Sequence, residues 1–223
     1  MKIIGILSSP HGNKSVTRPL VEAALEGARQ AGADTEIIDV CKLHINYCKG
    51  CHTCYQKGKC PQKDDFQETF EKILAADGLV LSSPNYIDNV TAQMKTLMDR
   101  MTDAVHCKRL YGKYGFSVST AGGSGDEKTC AILNEWLLRC GALPTGIASF
   151  AISWGPLKEK ETLEKARSMG ADLVACIREK RRFPAEEKVR AEAMTRFGFA
   201  IAMNRDLWKH DYDYWASQGW IEP

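Results

Sequence analysis

The stretch of sequence that decides the fold is Lys2-Ile3-Ile4-Gly5-Ile6-Leu7-Ser8-Ser9-Pro10-His11-Gly12-Asn13-Lys14-Ser15. Its first six residues are almost all apolar and predict a buried strand. The polar loop that follows leads into a segment with apolar residues at helical spacing, from Val16 to Ala28. A strand, a loop and a helix in this order form the first unit of a parallel α/β sheet.

The same alternation recurs along the chain. Strands are predicted at 2–7, 35–40, 78–82, 114–119 and 143–152, and helical segments follow them. Because parallel neighbours require a crossover, this order predicts an α/β fold of three layers, with a five-stranded parallel sheet between helices.

Length and composition set the class of protein. The chain has 223 residues, of which 44% are apolar and 26% charged, as expected for one globular domain with a sizeable core. A formal net charge of +2 argues against nucleic-acid binding. No apolar stretch reaches membrane-spanning length, and the amino terminus resembles a strand, not a signal peptide. We therefore expect a cytoplasmic protein without a membrane partner.

Three loops follow strands at the edge where open parallel sheets bind ligands. The first offers hydroxyl groups, the Asn13 amide and a helix amino terminus, which suit a phosphate group. It is neither a Walker A motif nor G-x-G-x-x-G, and an ordinary capped helix is the alternative. The loops at 83–87 and 119–125 add an aromatic ring and glycines, which suit a planar ring system.

These loops resemble those of the flavodoxin-like NADPH-dependent FMN reductases. The resemblance covers residues 1–179 and rests on S-S-P-H-G-N-K-S, on S-P-N-Y before A-Q-M-K-T-L-M-D-R, and on the glycine-rich fourth loop. It implies a flavodoxin-like three-layer sandwich with strand order 2-1-3-4-5, and FMN as the cofactor. Within that group, the chain is most similar to the iron-sulfur flavoproteins, whose compact cysteine motif it matches.

The resemblance also implies which residues bind FMN. The phosphate contacts are Ser9, His11, Asn13, Ser15, Val16 and Thr17. The contacts along the ribityl chain and ring are Pro84, Asn85, Tyr86 and Ile87. The contacts around the ring edge are Thr120, Ala121, Gly122 and Gly123. The family often has Arg at the position of His11 and a Gly soon after the Tyr, where this chain reads Ile87-Asp88-Asn89.

Four cysteines form a compact motif between the second strand and the next helix. Cys48, Cys51, Cys54 and Cys60 follow the spacing C-x2-C-x2-C-x5-C, and proline follows the last one. This is close to the bacterial ferredoxin run, so a [4Fe-4S] cluster is the leading interpretation. Zinc, with His52 alongside, is the main alternative, although structural zinc sites usually use two separated C-x2-C pairs. Free thiols or a redox disulfide remain open.

The leading functional hypothesis is an FMN-dependent oxidoreductase or electron-transfer protein that couples FMN to the cluster. One alternative is a cluster-free NAD(P)H-dependent FMN or quinone reductase, with NAD(P)H as a co-substrate. The other is a non-catalytic flavin or zinc module that senses redox state. We expect a small-molecule or protein electron donor and acceptor, and no protein side chain is assigned a catalytic role.

The predicted domain covers 1–182, and 183–223 is predicted to be a helical and aromatic extension, not a separate domain. Three of the five tryptophans lie in its last part, which we expect to dock on a neighbouring subunit or over the flavin edge. The family implies a homodimer or homotetramer. His44, His106 and His210 are interpreted as isolated surface or capping residues and not as ligands, and Asp99 and Arg100 as an ion pair.

Overall fold

The predicted parallel sheet is confirmed by a computed structural model, which describes residues 1–222. Its strands are β1 (Lys2–Leu7), β2 (Asp34–Asp39), β3 (Gly78–Pro84), β4 (Tyr114–Ala121) and β5 (Leu143–Ala151). They are all parallel and lie in the order β2-β1-β3-β4-β5. Strands β2 and β3 lie on opposite sides of β1, so the strand order reverses at β1, which creates a crevice at the carboxyl ends of β1 and β3.

Helices cover both faces of the sheet. They are α1 (Thr17–Gln30), α2 (Thr53–Lys57), α3 (Phe66–Ala75), α4 (Ala92–Arg100), α5 (Thr102–His106), α6 (Asp126–Arg139), α7 (Pro156–Glu179), α8 (Pro184–Met203) and α9 (Lys209–Ser217). The helix expected from residue 90 begins at Ala92 because the Thr91 hydroxyl caps it by accepting the Met94 amide, 3.3 Å away. Within residues 1–222, no helix is long and apolar enough to span a membrane.

The hydrophobic core forms two layers, one on each side of the sheet. Side chains of α3, α4 and α6 pack on one face, and those of α1 and α7 pack on the other. The α1–α7 contact depends on two glycines, because a Cβ at Gly27 would lie 1.9 Å from the Arg167 carbonyl oxygen and one at Gly170 would lie 1.8 Å from that of Ala24. This close packing fixes α1, and hence the loop that precedes it.

The residues after α7 return to their own chain. Helix α9 packs against α2, and Trp215, only 1% exposed, donates its indole N–H to the His106 carbonyl oxygen at 2.8 Å. The expectation that these aromatic residues need a neighbouring subunit or the flavin for cover is therefore wrong for Trp215. The homodimer or homotetramer stays a prediction.

Candidate functional site

The first and fourth loops meet at the carboxyl edge of the sheet. The hydroxyl oxygens of Thr17 and Thr120 lie 2.7 Å apart, and both residues are buried. Residues of the third loop, at 83–87, join them. Pro84 pairs with Thr120 in register, and the Asn85 backbone amide donates to the Thr120 carbonyl oxygen at 2.7 Å. The structure thus brings together the three loops that the sequence predicts to share one site.

The first loop supplies polar groups around the amino terminus of α1. A 3-10 turn spans Gly12–Lys14, and the Ser15 hydroxyl then accepts the Arg18 amide at 3.1 Å. Ser9, Ser15 and Thr17 are buried, Val16 is half-buried, and His11 and Asn13 are exposed. The first amides of a helix have no acceptor within that helix and carry its positive dipole end, so an anion is favoured here.

The third loop turns sharply between Tyr86 and Asn89, whose amides and carbonyls bond each other at 2.9 and 3.2 Å. The two residues between them, Ile87 and Asp88, have φ angles of 51° and 58°. A β-branched residue rarely adopts such an angle, so Ile87 is held in a strained conformation with a side chain that is 99% exposed. The Tyr86 hydroxyl lies 3.4 Å from His11 Nε2, which links this loop to the first.

The fourth loop combines open space with one tight contact. A Cβ on Gly122 or Gly123 would meet no protein atom within 4 Å. Gly125 differs, because its φ is 91° and its Cβ would lie 2.4 Å from Asn85 Nδ2. Asn85 in turn donates to the Ser124 carbonyl oxygen at 2.8 Å and accepts the Thr129 hydroxyl at 3.2 Å.

This arrangement fits FMN. Buried hydroxyl groups and a helix amino terminus lie on one side, suited to a phosphate, and open glycine backbone lies on the other, where a flat ring could approach. The Tyr86 ring, 40% exposed, is available between them.

The four cysteines of the motif lie in the segment between β2 and α3. Cys54 is part of α2, which ends when Gly58 adopts a φ of 65° and donates its amide to the Cys54 carbonyl oxygen at 2.8 Å. Cys48 and Cys51 are exposed, whereas Cys54 and Cys60 are half-buried. We call residues 48–60 the cysteine loop.

The exposed Cys51 and the half-buried Cys54 differ in the acidity of their thiols. A hydrogen bond with Thr53 lowers the pKa of Cys51. Burial raises the pKa of Cys54 to about 12, and the carboxylates of Asp211 and Asp103 add to that effect. Cys54 is therefore a neutral thiol at neutral pH, and a metal must displace its proton to bind it.

The spacing of the thiols bears on which metal they suit. Within residues 1–222, no three sulfur atoms of this loop lie within 4.8 Å of one another. A tetrahedral zinc ion with bonds of about 2.3 Å would bring them to roughly 3.8 Å. Each thiolate of a four-iron cluster binds a different corner, so a cluster accepts a wider spacing.

A buried ion pair joins the two segments that flank the cysteine loop. Arg100 donates to Asp64 at 2.6 and 3.1 Å and to the Asn46 carbonyl oxygen at 2.8 Å, and both charged side chains are fully buried. The predicted pairing of Arg100 with Asp99 is therefore wrong, since Asp99 instead pairs with Lys95 at 2.5 Å. Burial acts to raise the pKa of Asp64, but the hydrogen bonds from Arg100 and two backbone amides outweigh it and hold this pKa well below its usual range.

A polar network that the sequence does not predict lies beneath the cysteine loop. His106 Nδ1 lies 2.7 Å from Asp211 Oδ2, and His210 Nε2 lies 3.1 Å from Asp103 Oδ1. The interpretation of His106 and His210 as isolated residues is therefore wrong. The partners are separated by more than a hundred positions, so no local spacing could reveal them. Cys107 Sγ, 3.5 Å from Asp211 Oδ1, completes the network.

The fold and the three loops define a flavodoxin-like flavoprotein. The sequence matches the NADPH-dependent FMN reductase family over residues 1–155. The chain belongs to this family and is an FMN-dependent oxidoreductase.

Two relatives extend the similarity beyond the matched region. The chain is 36% identical to an iron-sulfur flavoprotein of Archaeoglobus fulgidus, over 99% of this chain and 100% of that protein. It is 31% identical to an iron-sulfur flavoprotein of Methanosarcina thermophila, over 81% of this chain and 99% of that protein. A NAD(P)H:quinone oxidoreductase from Methanothermobacter marburgensis shares the fold, with a TM-score of 0.63, 21% identity and coverage of 78% and 96% of the two chains.

Proposed function

We propose that the protein is an electron-transfer oxidoreductase that binds FMN at the sheet edge and a [4Fe-4S] cluster in the cysteine loop. The observation that carries this proposal is the cysteine loop itself, with four thiols in thirteen residues on the fold of an FMN reductase. The relatives named as iron-sulfur flavoproteins support it.

The loops at the sheet edge provide the proposed FMN site. Ser9, Ser15, Thr17 and the first amides of α1 would hold the phosphate, with His11, Asn13 and Val16 around them. Residues 84–87 would line the ribityl chain and one side of the ring, and residues 120–123 would line its edge. The bond between Thr17 and Thr120 keeps these two parts in a fixed relationship.

The cysteine loop provides the proposed cluster site. Cys48, Cys51, Cys54 and Cys60 would each bind one iron, because their compact spacing is close to that of the ferredoxin cluster motif. When both groups are bound, FMN exchanges two electrons or one, and the cluster exchanges one at a time. The protein's own part is to bind and orient them. A small-molecule donor such as NAD(P)H and a protein or small-molecule acceptor complete the proposed reaction.

The test is to purify the protein without air and to measure FMN, iron, acid-labile sulfide and zinc per chain, with the visible spectrum. About four irons and four sulfides per FMN are expected. Flavin without iron would support the cluster-free NAD(P)H-dependent reductase instead. Zinc in place of iron would make the cysteine loop structural.

Matched cysteine variants assign the metal to the loop. Cys51→Ser and Cys60→Ser are expected to lose most of the iron and keep FMN. Cys41→Ser, at a half-buried cysteine outside the loop, is expected to keep both. Equal iron content in all three variants would contradict the proposed ligands.

A further inference from the structure

The C-terminal extension, residues 183–222, packs directly on the cysteine loop. The Trp208 ring meets the Tyr55 ring edge-on, with centroids 5.7 Å apart. Tyr55 also stacks on His106, with centroids 4.2 Å apart and planes 13° from parallel, and the Trp208 and His106 centroids are 5.1 Å apart. Tyr55 follows Cys54 in α2, so these contacts hold the helix that carries this cysteine.

Polar and steric contacts continue along α2. The Gln56 amide donates to the carbonyl oxygen of Asp206 at 3.3 Å and also to that of Leu207. At Gly58 the approach is so close that a Cβ would lie 2.3 Å from Cε1 of the His210 ring. The extension therefore follows the loop from residue 55 to residue 58.

The extension is itself anchored to the FMN-reductase domain. His210 bonds to Asp103 and Asp211 bonds to His106, which places two polar links between α9 and α5. Asp211 is fully buried, and the indole of Trp215 adds a bond to the His106 carbonyl oxygen. These contacts fix the C-terminal extension to the rest of the chain at several points.

The two halves of the loop differ in this support. Cys48 and Cys51 are exposed, whereas Cys54 lies half-buried beside Asp103 and Asp211. The part of the loop that contains Cys54 is thus covered by the extension and by α5.

We propose that the C-terminal extension is the positioning element of the metal-binding loop. Trp208 packs on Tyr55 of α2, and the backbone of the extension accepts the side-chain amide of Gln56 of α2, so these contacts hold Cys54 in place. The nature of the bound group rests on the proposed function. Trp208, in the extension, and Gln56, in α2, are positioning residues, since they join the extension to α2 and bind no metal themselves.

The experiment compares Trp208→Ala and Gln56→Met with the wild type, all purified without air. We expect both variants to keep FMN, to hold at least twofold less iron and sulfide per FMN, and to bleach several times faster in air near 400 nm. Trp208→Phe, which keeps a ring against Tyr55, is expected to restore the iron content. Trp220→Ala is the matched control, because Trp220 packs on Tyr111, Tyr214 and Trp215 within the same region.

Wild-type iron content and bleaching rate in both variants would overturn the proposal, and so would an equal loss in Trp220→Ala. If the wild type holds no iron, the proposed cluster is wrong, but the positioning role is still tested by alkylation of Cys54 with iodoacetamide. That reaction is then expected to be severalfold faster in Trp208→Ala and Gln56→Met than in the wild type. Equal rates would overturn the positioning role as well.

Discussion

The hydroxyl groups of Thr17 and Thr120 form a buried hydrogen bond, 2.7 Å long, between residues 103 positions apart. Thr17 begins α1 and Thr120 lies near the end of β4, so the bond joins the proposed phosphate side of the crevice to its ring side. The relative position of the two sides therefore depends on a contact within the protein itself.

Replacing Thr17 with valine tests this contact. Valine keeps the shape but leaves the Thr120 hydroxyl without its partner, which is expected to lower the free energy of unfolding by about 1–2 kcal/mol. Because Thr17 is also a proposed phosphate contact, we expect the Kd for FMN to rise at least tenfold, as measured by flavin fluorescence. Thr162→Val is the control, since that buried hydroxyl bonds within α7 to the Lys158 carbonyl oxygen. An unchanged Kd in Thr17→Val would contradict the proposed site.

The two types of glycine in the fourth loop give a second prediction. Gly122→Ala adds a methyl group where no protein atom lies within 4 Å, so the apoprotein should keep its stability within about 0.5 kcal/mol. We expect its FMN affinity to fall at least tenfold, because the methyl group enters space assigned to the ring. Gly125→Ala is expected to lower both stability and affinity, because its Cβ would displace Asn85. Urea denaturation and FMN titration separate the two effects, and wild-type affinity in Gly122→Ala would place the ring elsewhere.

The sheet and the three loops could be predicted because their signals are local. Apolar runs mark the strands, and each binding loop directly follows one of them. The partners of Asp211 and Asp103 could not be predicted, because they are distant in sequence and polar residues have no periodicity of their own. The bounds of helix α9 within the predicted helical extension could not be predicted for a related reason: its two buried residues, Asp211 and Trp215, are one polar and one aromatic, so they form no apolar stripe. Its position depends on contacts that exist only in the folded chain.

The turn at Ile87 places a β-branched residue in a backbone conformation that disfavours it. Asn or Gly is the usual residue where φ is positive, and Ile is among the least suited. Since its side chain is 99% exposed, Ile87→Asn removes strain without loss of packing. We expect the free energy of unfolding of the apoprotein to rise by about 1 kcal/mol, as measured with urea. Ile87→Ala, which keeps the strained angle, should gain less, and an equal gain in both would show that the angle is not the cause.

The buried pair of Asp64 and Arg100 predicts how stability depends on pH. The folded protein holds the pKa of Asp64 below its unfolded value of 3.8, so the pair's contribution is fully present above that value. As the pH falls through the folded pKa, the proton neutralises the carboxylate and the contribution is lost. The wild type should therefore lose stability as the pH falls from about 5 towards 2, and Asp64→Asn should lose less over that interval. At pH 7 the variant is expected to be less stable by about 3–5 kcal/mol, because Arg100 stays buried without its partner.

Urea denaturation at several pH values between 2 and 7 measures this difference. Asp99→Asn serves as the control, because its pair with Lys95 is exposed and is expected to be worth less than about 1 kcal/mol. Arg100 also bonds to the Asn46 carbonyl oxygen next to the cysteine loop, so Asp64→Asn should hold less iron per chain than Asp99→Asn. Parallel stability curves for the wild type and Asp64→Asn below pH 5 would show that Asp64 ionises no differently in the folded and unfolded chains.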